Sequence, residues 1–232
     1  MLRSLVGSEM CIRDRYKVLF EDPSLLVVDK GHGLLTVPGI GPEKADCLLS
    51  RLRADGYDEV EHAPHRLDRD TSGIVVLGRT PAAHRSLAYQ FQERLASKLY
   101  VALVLGWPAA DFGEVDAPIG KAPGADGHAR MRILPDGRPS VTRWEVAAAL
   151  PSGRCRVRLA PETGRRHQLR MHMLALGCPL VGDALYGEAA SDNFGTSVAL
   201  NEDGSIVAAG AELNDAGGTS AKPCVPVPAR RT

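Results

Sequence analysis

The 232-residue chain lacks most of the features that would identify a function by themselves. Its cysteines, Cys11, Cys47, Cys155, Cys178 and Cys224, are odd in number, scattered, and form no C-x-x-C pair. That argues against a disulfide framework and against a zinc knuckle, and makes a reducing cytosol, hence a cytoplasmic location, the expectation. No apolar run approaches the roughly 18 residues of a membrane-spanning helix, so no membrane partner is expected. The N-terminus shows no signal-peptide apolar core. Net charge is missing too, with 28 basic against 28 acidic residues, so the total points to no polyanionic partner. No metal-binding or nucleotide-cofactor motif stands out, and no cofactor is expected.

What is present fits an ordinary globular protein. Hydrophobic residues make up 44% and charged residues 24%, and the length suffices to bury a core. Strands and helices alternate. "YKVLF" and "LLVVDK" are short apolar runs split by the turn "EDPS". "GHGLLTVPGIGPEK" reads as an ordered Gly/Pro loop. The spacing predicts helices over "ADCLLSRLRADG" and over "PAAHRSLAYQFQERLA", the latter with Pro81 in its first turn. "IVVLGRT" and "KLYVALVLGW" read as strands, and "ARMRILPDGRPSVTRWEVAAAL" as a hairpin around Pro-Asp-Gly. "RCRVRLA" alternates with period two, placing Arg154, Arg156 and Arg158 on one face. "RRHQLRMHMLALG" is helical, with Leu169, Met173 and Leu176 on one stripe and Gly177 as its stop.

Charge is concentrated in two places. "HRLDRDTSG", His65 to Gly73, crowds a histidine, two arginines and two aspartates ahead of an apolar strand. A carboxylate between arginines is expected to stay ionised. Such a group serves as nucleophile, general base, metal ligand or half of a structural ion pair. Arg154 to His172 holds six arginines and two histidines against one acid, a local basic surface in a neutral protein. Backbone N–H groups at a helix start together with arginines suit phosphate; a solvated charged face is the alternative.

The motifs then converge. "HRLDRDTSGIVVLGRT", "KLYVALVLG" and "PETGRRHQLRMHMLALGCPLVGDALYG" resemble the signature regions of the RluA family of RNA pseudouridine synthases, and "EDPSLLVVDKGHGLLTVPG" resembles its opening region. The resemblance covers about residues 16–190. It implies an α+β fold, with a mixed, largely antiparallel sheet, flanking helices and a central catalytic cleft. It also implies isomerisation of uridine to pseudouridine in stem-loops of ribosomal or transfer RNA, with no cofactor and no metal, by a monomer.

By the same resemblance Asp68 is the essential carboxylate, as nucleophile or as the group that deprotonates the sugar. Arg66 enters the RNA stack, Tyr100 stacks on the extruded uracil, and Arg165 pairs with the catalytic carboxylate. Arg166, Arg170 and His65 are expected against RNA, although His65 also reads as a structural histidine and Tyr100 as a core aromatic. Asp70 is expected as a turn cap and Leu169 as packing under the site. Gly31 departs from the family, which usually has proline there.

Two ends look foreign. "SLVGSEMCIRDR" resembles the in-frame translation of a transposon adapter used in sequencing libraries. Residues 1–15 are therefore expected to be a dispensable leader. No separate N-terminal RNA-binding domain is visible. The acidic tail, 191–232, resembles an FG-GAP repeat with two short strands, and a single propeller blade cannot bury its own faces. The expected organisation is thus a catalytic domain over 16–190, C-terminally truncated, followed by an unrelated, poorly ordered tail. Two other functional readings stay open: an inactive RNA-binding fragment of the same family, and a metal hydrolase using Asp68, Asp70, His62 and His65.

Overall fold

The computed structural model describes residues 15–124 and 129–186, together with the backbone of two short strands beyond them. Residues 1–14 and most of the tail lie outside the described residues, and the leader and propeller-blade expectations lie largely there with them. The two tail strands, Ala199–Leu200 and Ile206–Val207, pair antiparallel, within "SVAL" and "SIVAAGA", the two short strands that the sequence suggests.

The N-terminal half is a three-stranded antiparallel sheet, β1 (Tyr16–Glu21), β2 (Leu25–Lys30) and β3 (Gly73–Gly78), in that order. Each face carries its own core. Leu26, Val28, Val75 and Leu77 pack against α1 (Leu48–Ala54) through Leu48, Leu49 and Leu52. Val27 and Val76, on the other face, pack against α2 (Pro81–Gln92) through Leu87. This two-sided burial is why β2 and β3 read as continuous apolar runs rather than alternating ones. Pro81 occupies the first turn of α2, and Thr80 caps it by accepting from Ala83 N at 3.1 Å.

The C-terminal half is a four-stranded antiparallel sheet. Its strands are β4 (Tyr100–Leu105), β5 (Phe112–Asp116), β8 (Val141–Leu150) and β9 (Arg154–Pro161), in the order β4-β9-β8-β5. β6 (Ile119–Pro123) and β7 (Ala129–Ile133) form a separate ribbon. α3 (Gln168–Ala175) sets Met173, Leu169 and Leu176 against Ala102, Val104, Val157 and Leu159. Gly177, with φ 71°, stops it: Cys178 N reaches back to Met173 O at 3.0 Å, a left-handed ending that glycine adopts without steric cost.

The α+β class and the antiparallel character agree with expectation, but the strands divide among separate sheets. The hairpin expected over residues 129–150 does not form. A turn does occur there, with Gly137 N bonded to Leu134 O. β7, however, pairs with β6, and β8 pairs with β5 and β9. β5 and β6 are not apparent in the sequence, because "FGEVD" and "IGKAP" are short and carry Gly, Asp and Pro, residues depleted in strands. β9 alternates as expected, with Cys155, Val157 and Leu159 buried and its arginines on the outer face.

Arg15, assigned by the sequence to the dispensable leader, is tied to the domain. Its carbonyl accepts from Gly31 N at 2.7 Å and its Nη1 donates to Gly33 O at 2.9 Å. A Cβ on Gly31 would lie 2.9 Å from Arg15 O. A proline at position 31 would lack the donated N–H. Among the described residues no helix is long and apolar enough to cross a membrane.

Candidate active-site cleft

The segment around Asp68 is held at alternate residues, through the side chain of His65 and the backbone of Leu67 and Arg69. His65 Nε2 accepts from Val76 N of β3 at 2.9 Å. The Thr36 hydroxyl, itself buried, donates to Leu67 O at 2.9 Å and accepts from Leu67 N at 3.1 Å. Lys30 Nζ, fully buried, donates to Arg69 O at 3.3 Å, and to Leu34 O and Gly31 O at 2.8 and 2.9 Å. Leu67 therefore points inward, while Arg66 is exposed and Asp68 partly so. Burial, outweighing the attraction of Asp70, Asp68 and Asp29, pushes the Lys30 amine down to about 8.

Two lobes of one cleft meet at Asp68. One, of about 1080 Å³, runs past His32, Ile40, Lys44 and Leu185. The other, of about 890 Å³, runs past Phe91, Arg94, Tyr100 and Arg138. Arg66, Arg166, His167 and Arg170 line both. Either lobe is the size of a small-molecule site.

Arg170, not Arg165, faces the carboxylate. Arg170 Nη1 lies 3.8 Å from Asp68 Oδ2, while its Nε and Nη2 donate to Asp183 at 2.7 and 2.6 Å. That bidentate pair fixes the guanidinium plane, and the Tyr186 ring lies 4.8 Å beneath it. Burial alone would raise the Asp183 carboxyl. The Arg170 hydrogen bonds and charge, with the N–H groups of Leu185 and Tyr186, reverse this and hold it below the usual range. Arg165 lines the same cleft, but its Nε donates to Pro139 O at 3.2 Å. The pairing expected for Arg165 is thus made by Arg170, which was expected only against RNA.

His167 is a second neighbour of the carboxylate, with Nε2 3.9 Å from Asp68 Oδ2 and Nδ1 2.7 Å from the Tyr186 hydroxyl. It enters α3 in the left-handed region, φ 56°, an uncommon conformation for a residue with a side chain, of the kind that gathers at functional sites. Burial, and then the charges of Arg170 and Arg166, bring its imidazole down to about 4 against the pull of Asp68. Tyr100, partly exposed, packs against three of the hydrophobic clusters at once. Burial and the Asp68 charge push its phenol up to about 12, so the ring stays neutral.

The remaining expected residues divide. Arg66 and Arg166 are exposed on the cleft rim. Leu169 lines the cleft from the α3 core, as expected. His65 fits the structural reading: it is partly buried, stacks on Phe91 at 4.1 Å and accepts a backbone N–H, with burial pushing its imidazole down to about 3, while its edge lines the lobe of Tyr100. The Asp70 carboxylate, expected as a turn cap, accepts from Arg69 Nε at 2.9 Å. His62 lies beside Glu61 and His84, so the four residues of the metal-hydrolase reading do not converge. Among the described residues no group of three or more His, Cys, Asp or Glu is placed to hold a metal. The β9 arginines do not line either lobe, so the basic surface read from the sequence divides between sheet and cleft. Lys30, Thr36, His167, Asp183 and Tyr186 were not singled out. The in-phase position of Lys30 with Leu26 and Val28 was the available signal for the first.

A carboxylate, a neutral aromatic face and a ring of arginines, open to solvent through a cleft, suit a nucleotide. The family profile described as RNA pseudouridylate synthase matches residues 24–175. The dual-specificity RNA pseudouridine synthase RluA of Haemophilus influenzae is 45% identical over 172 residues, covering 73% of this chain and 76% of that protein. The protein of the same name from Escherichia coli is 42% identical over 170 residues, with 73% and 76% covered. Among solved structures, human RNA pseudouridylate synthase domain containing 1 superposes with a TM-score of 0.69 at 27% identity, covering 88% of this chain and 86% of that one. Human RNA pseudouridylate synthase domain containing 4 gives 0.59 at 28%, covering 76% and 70%.

Proposed function

This chain belongs to the family of RNA pseudouridylate synthases and isomerises uridine in RNA to pseudouridine, and from that premise we propose that Asp68 starts the reaction, on stem-loops of ribosomal and transfer RNA. The observation that carries the assignment is the placement of Asp68 where both lobes meet, facing Arg170 and His167. The isomerisation breaks N1–C1′, turns the uracil, joins C5 to C1′, and exchanges the C5 proton for one on N1. Nothing is oxidised and no group is gained. Asp68 either attacks C1′ or takes the C2′ proton.

The other roles follow from shape and charge. A uridine must leave its stack to reach Asp68, at a cost of a few kcal/mol. Arg66, exposed on the rim, offers a planar cation to fill the vacated place. Tyr100 offers its face to the extruded uracil. Arg170 aims at the carboxylate, and Arg166 meets the strand outside. The dual-specificity name of the relatives supports two classes of RNA substrate. The buried free thiols Cys47, Cys155 and Cys178 suit a cytoplasmic enzyme, which we take as a monomer.

The test is to incubate unmodified ribosomal and transfer RNA with the protein and map pseudouridine by cyanoethylation and mass spectrometry. Product in loops of both classes is expected. Product in one class would remove the dual substrate, and product in neither would overturn the function.

Asp183→Asn tests the support of Arg170. Asparagine keeps an oxygen for Leu185 N and Tyr186 N, both bonded to Asp183 Oδ1, but loses the charge that orients Arg170. A fall in kcat of about 10- to 100-fold is expected, the scale of a slightly misplaced reacting group, with KM changed far less. The stability that Asp183 gives is present above its unfolded pKa and lost as pH falls through its lower folded value. The difference in melting temperature between wild type and variant should therefore close in acid. The pH profile is a further check: with His167 near 4 and His65 near 3, kcat should show no inflection at about 6.5, the ordinary histidine value.

A further inference from the structure

The lobe lined by Tyr100 holds more positive charge than its acid balances. Among the described residues lining it, Asp68 is the only carboxylate, and Arg170 already faces it. Beyond Arg66 and Arg166, which line both lobes, four cations line this lobe alone: Arg94, Lys98, Arg138 and Arg165. Among the described residues none of the four is ion-paired. Lys98 Nζ donates to Thr163 O at 3.3 Å and Arg165 Nε to Pro139 O at 3.2 Å. These carbonyls hold the cations in place without neutralising them.

The cluster is self-repelling. Burial, then the charges of Arg94 and Arg165, lower the Lys98 amine. Burial, then Arg138 and Arg94, lower the Arg165 guanidinium. Arg94 adds a separate observation. It stands just past α2 with φ 60°, where Leu95 N bonds back to Gln90 O at 2.9 Å. Glycine or asparagine fills such a helix-ending position more easily than arginine. An arginine held there favours the negative end of the α2 dipole, and its side chain also reaches the cleft lining.

We propose that Arg94, Lys98, Arg138 and Arg165 form a site for a backbone phosphate of the RNA strand next to the extruded uridine. The inference rests on the reading of Asp68 as the reacting group. A nucleotide whose sugar reaches Asp68 carries a phosphate on each side, and the strand must leave the cleft past one of its walls. This lobe supplies cations from the end of α2, the approach to β4, the approach to β8 and the approach to α3, converging on one anion. Arg165 is then a phosphate ligand, which accounts for its position in the cleft without the carboxylate contact the sequence suggested.

The test uses the full chain and an RNA hairpin with a uridine-containing loop. Arg94→Asn and Arg138→Gln are surface changes, the first suited to the left-handed backbone. Each should weaken hairpin binding several-fold and reduce the slope of log Kd against log salt by about 1, while Arg94→Lys and Arg138→Lys should keep the slope. Replacing the phosphates beside the target uridine one at a time by neutral methylphosphonate should reveal one position that weakens wild type but not the Arg94→Asn, Arg138→Gln double variant. Unchanged affinity and slope in both variants, or a methylphosphonate penalty identical in wild type and double variant at every position, would overturn the proposal. Isomerisation measured in parallel separates the two readings. Wild-type turnover with unaltered variant binding removes the phosphate site alone. Altered slopes with no wild-type turnover keep the site and remove the assignment of Asp68.

Discussion

Asp68→Asn should lower isomerisation by about four orders of magnitude or more, the scale on which a reacting group is lost. Asparagine keeps the shape but can neither attack C1′ nor take a proton from C2′. The fold should tolerate it, because Arg170 retains its bidentate partner Asp183 and Asp68 itself is only in long contact with Arg170 and His167. RNA affinity should hold or tighten slightly, since a negative charge leaves a cleft that receives phosphates. Single-turnover kinetics and hairpin binding, measured on the same preparation, separate these effects. Turnover within tenfold of wild type would reject Asp68 as the reacting group.

The largest expected effect on stability is that of Lys30→Met. Three carbonyls, those of Gly31, Leu34 and Arg69, lose their donor, at about 1 kcal/mol or more each when buried. Removal of a buried ammonium offsets part of this. A net loss of about 2–3 kcal/mol is expected, a fall in melting temperature of about 5–10 °C for a domain of this size. Activity should fall as well, because Arg69 O is one of the two backbone anchors flanking Asp68.

The pH dependence of that difference has a definite sign. The Lys30 amine titrates at about 8 in the folded chain and near 10.5 when unfolded. Between these values the unfolded chain binds more protons, so wild type gains stability as pH rises. The gap in stability between wild type and Lys30→Met should therefore widen from about pH 8 upward. A gap that narrows would mean that the amine is stabilised as a cation rather than penalised.

Much of the site was legible because its chemistry is compressed into short motifs. Asp68 and Arg66 stand in "HRLD", Tyr100 opens a strand, and all three line the same lobe of the cleft. The choice between Arg165 and Arg170 was not legible. Both belong to one basic run, and which of them turns back to Asp68 depends on the left-handed backbone at His167 and on an aspartate 13 residues beyond Arg170. Neither is visible in local spacing. The structural reading of His65 follows from local alternation: in an extended segment alternate residues face opposite ways, and His65 lies in phase with the buried Leu67. The strands of the N-terminal sheet were plain because both faces are buried. β5 and β6 were not, since their pairing is set by β8 and β7 rather than by their own composition.

The central claim is that Asp68, held opposite Arg170, reaches the sugar of an extruded uridine. The most direct measurement is a structure of the protein with an RNA hairpin carrying 5-fluorouridine at the target, where the fluorine cannot leave C5 as a proton does. The account predicts the ribose C1′ or C2′ within about 3.5 Å of the Asp68 carboxylate, a contact distance for reaction, and the base against the Tyr100 ring. A nucleotide still stacked in its helix, or one seated in the cleft with its sugar turned away from Asp68, would contradict it.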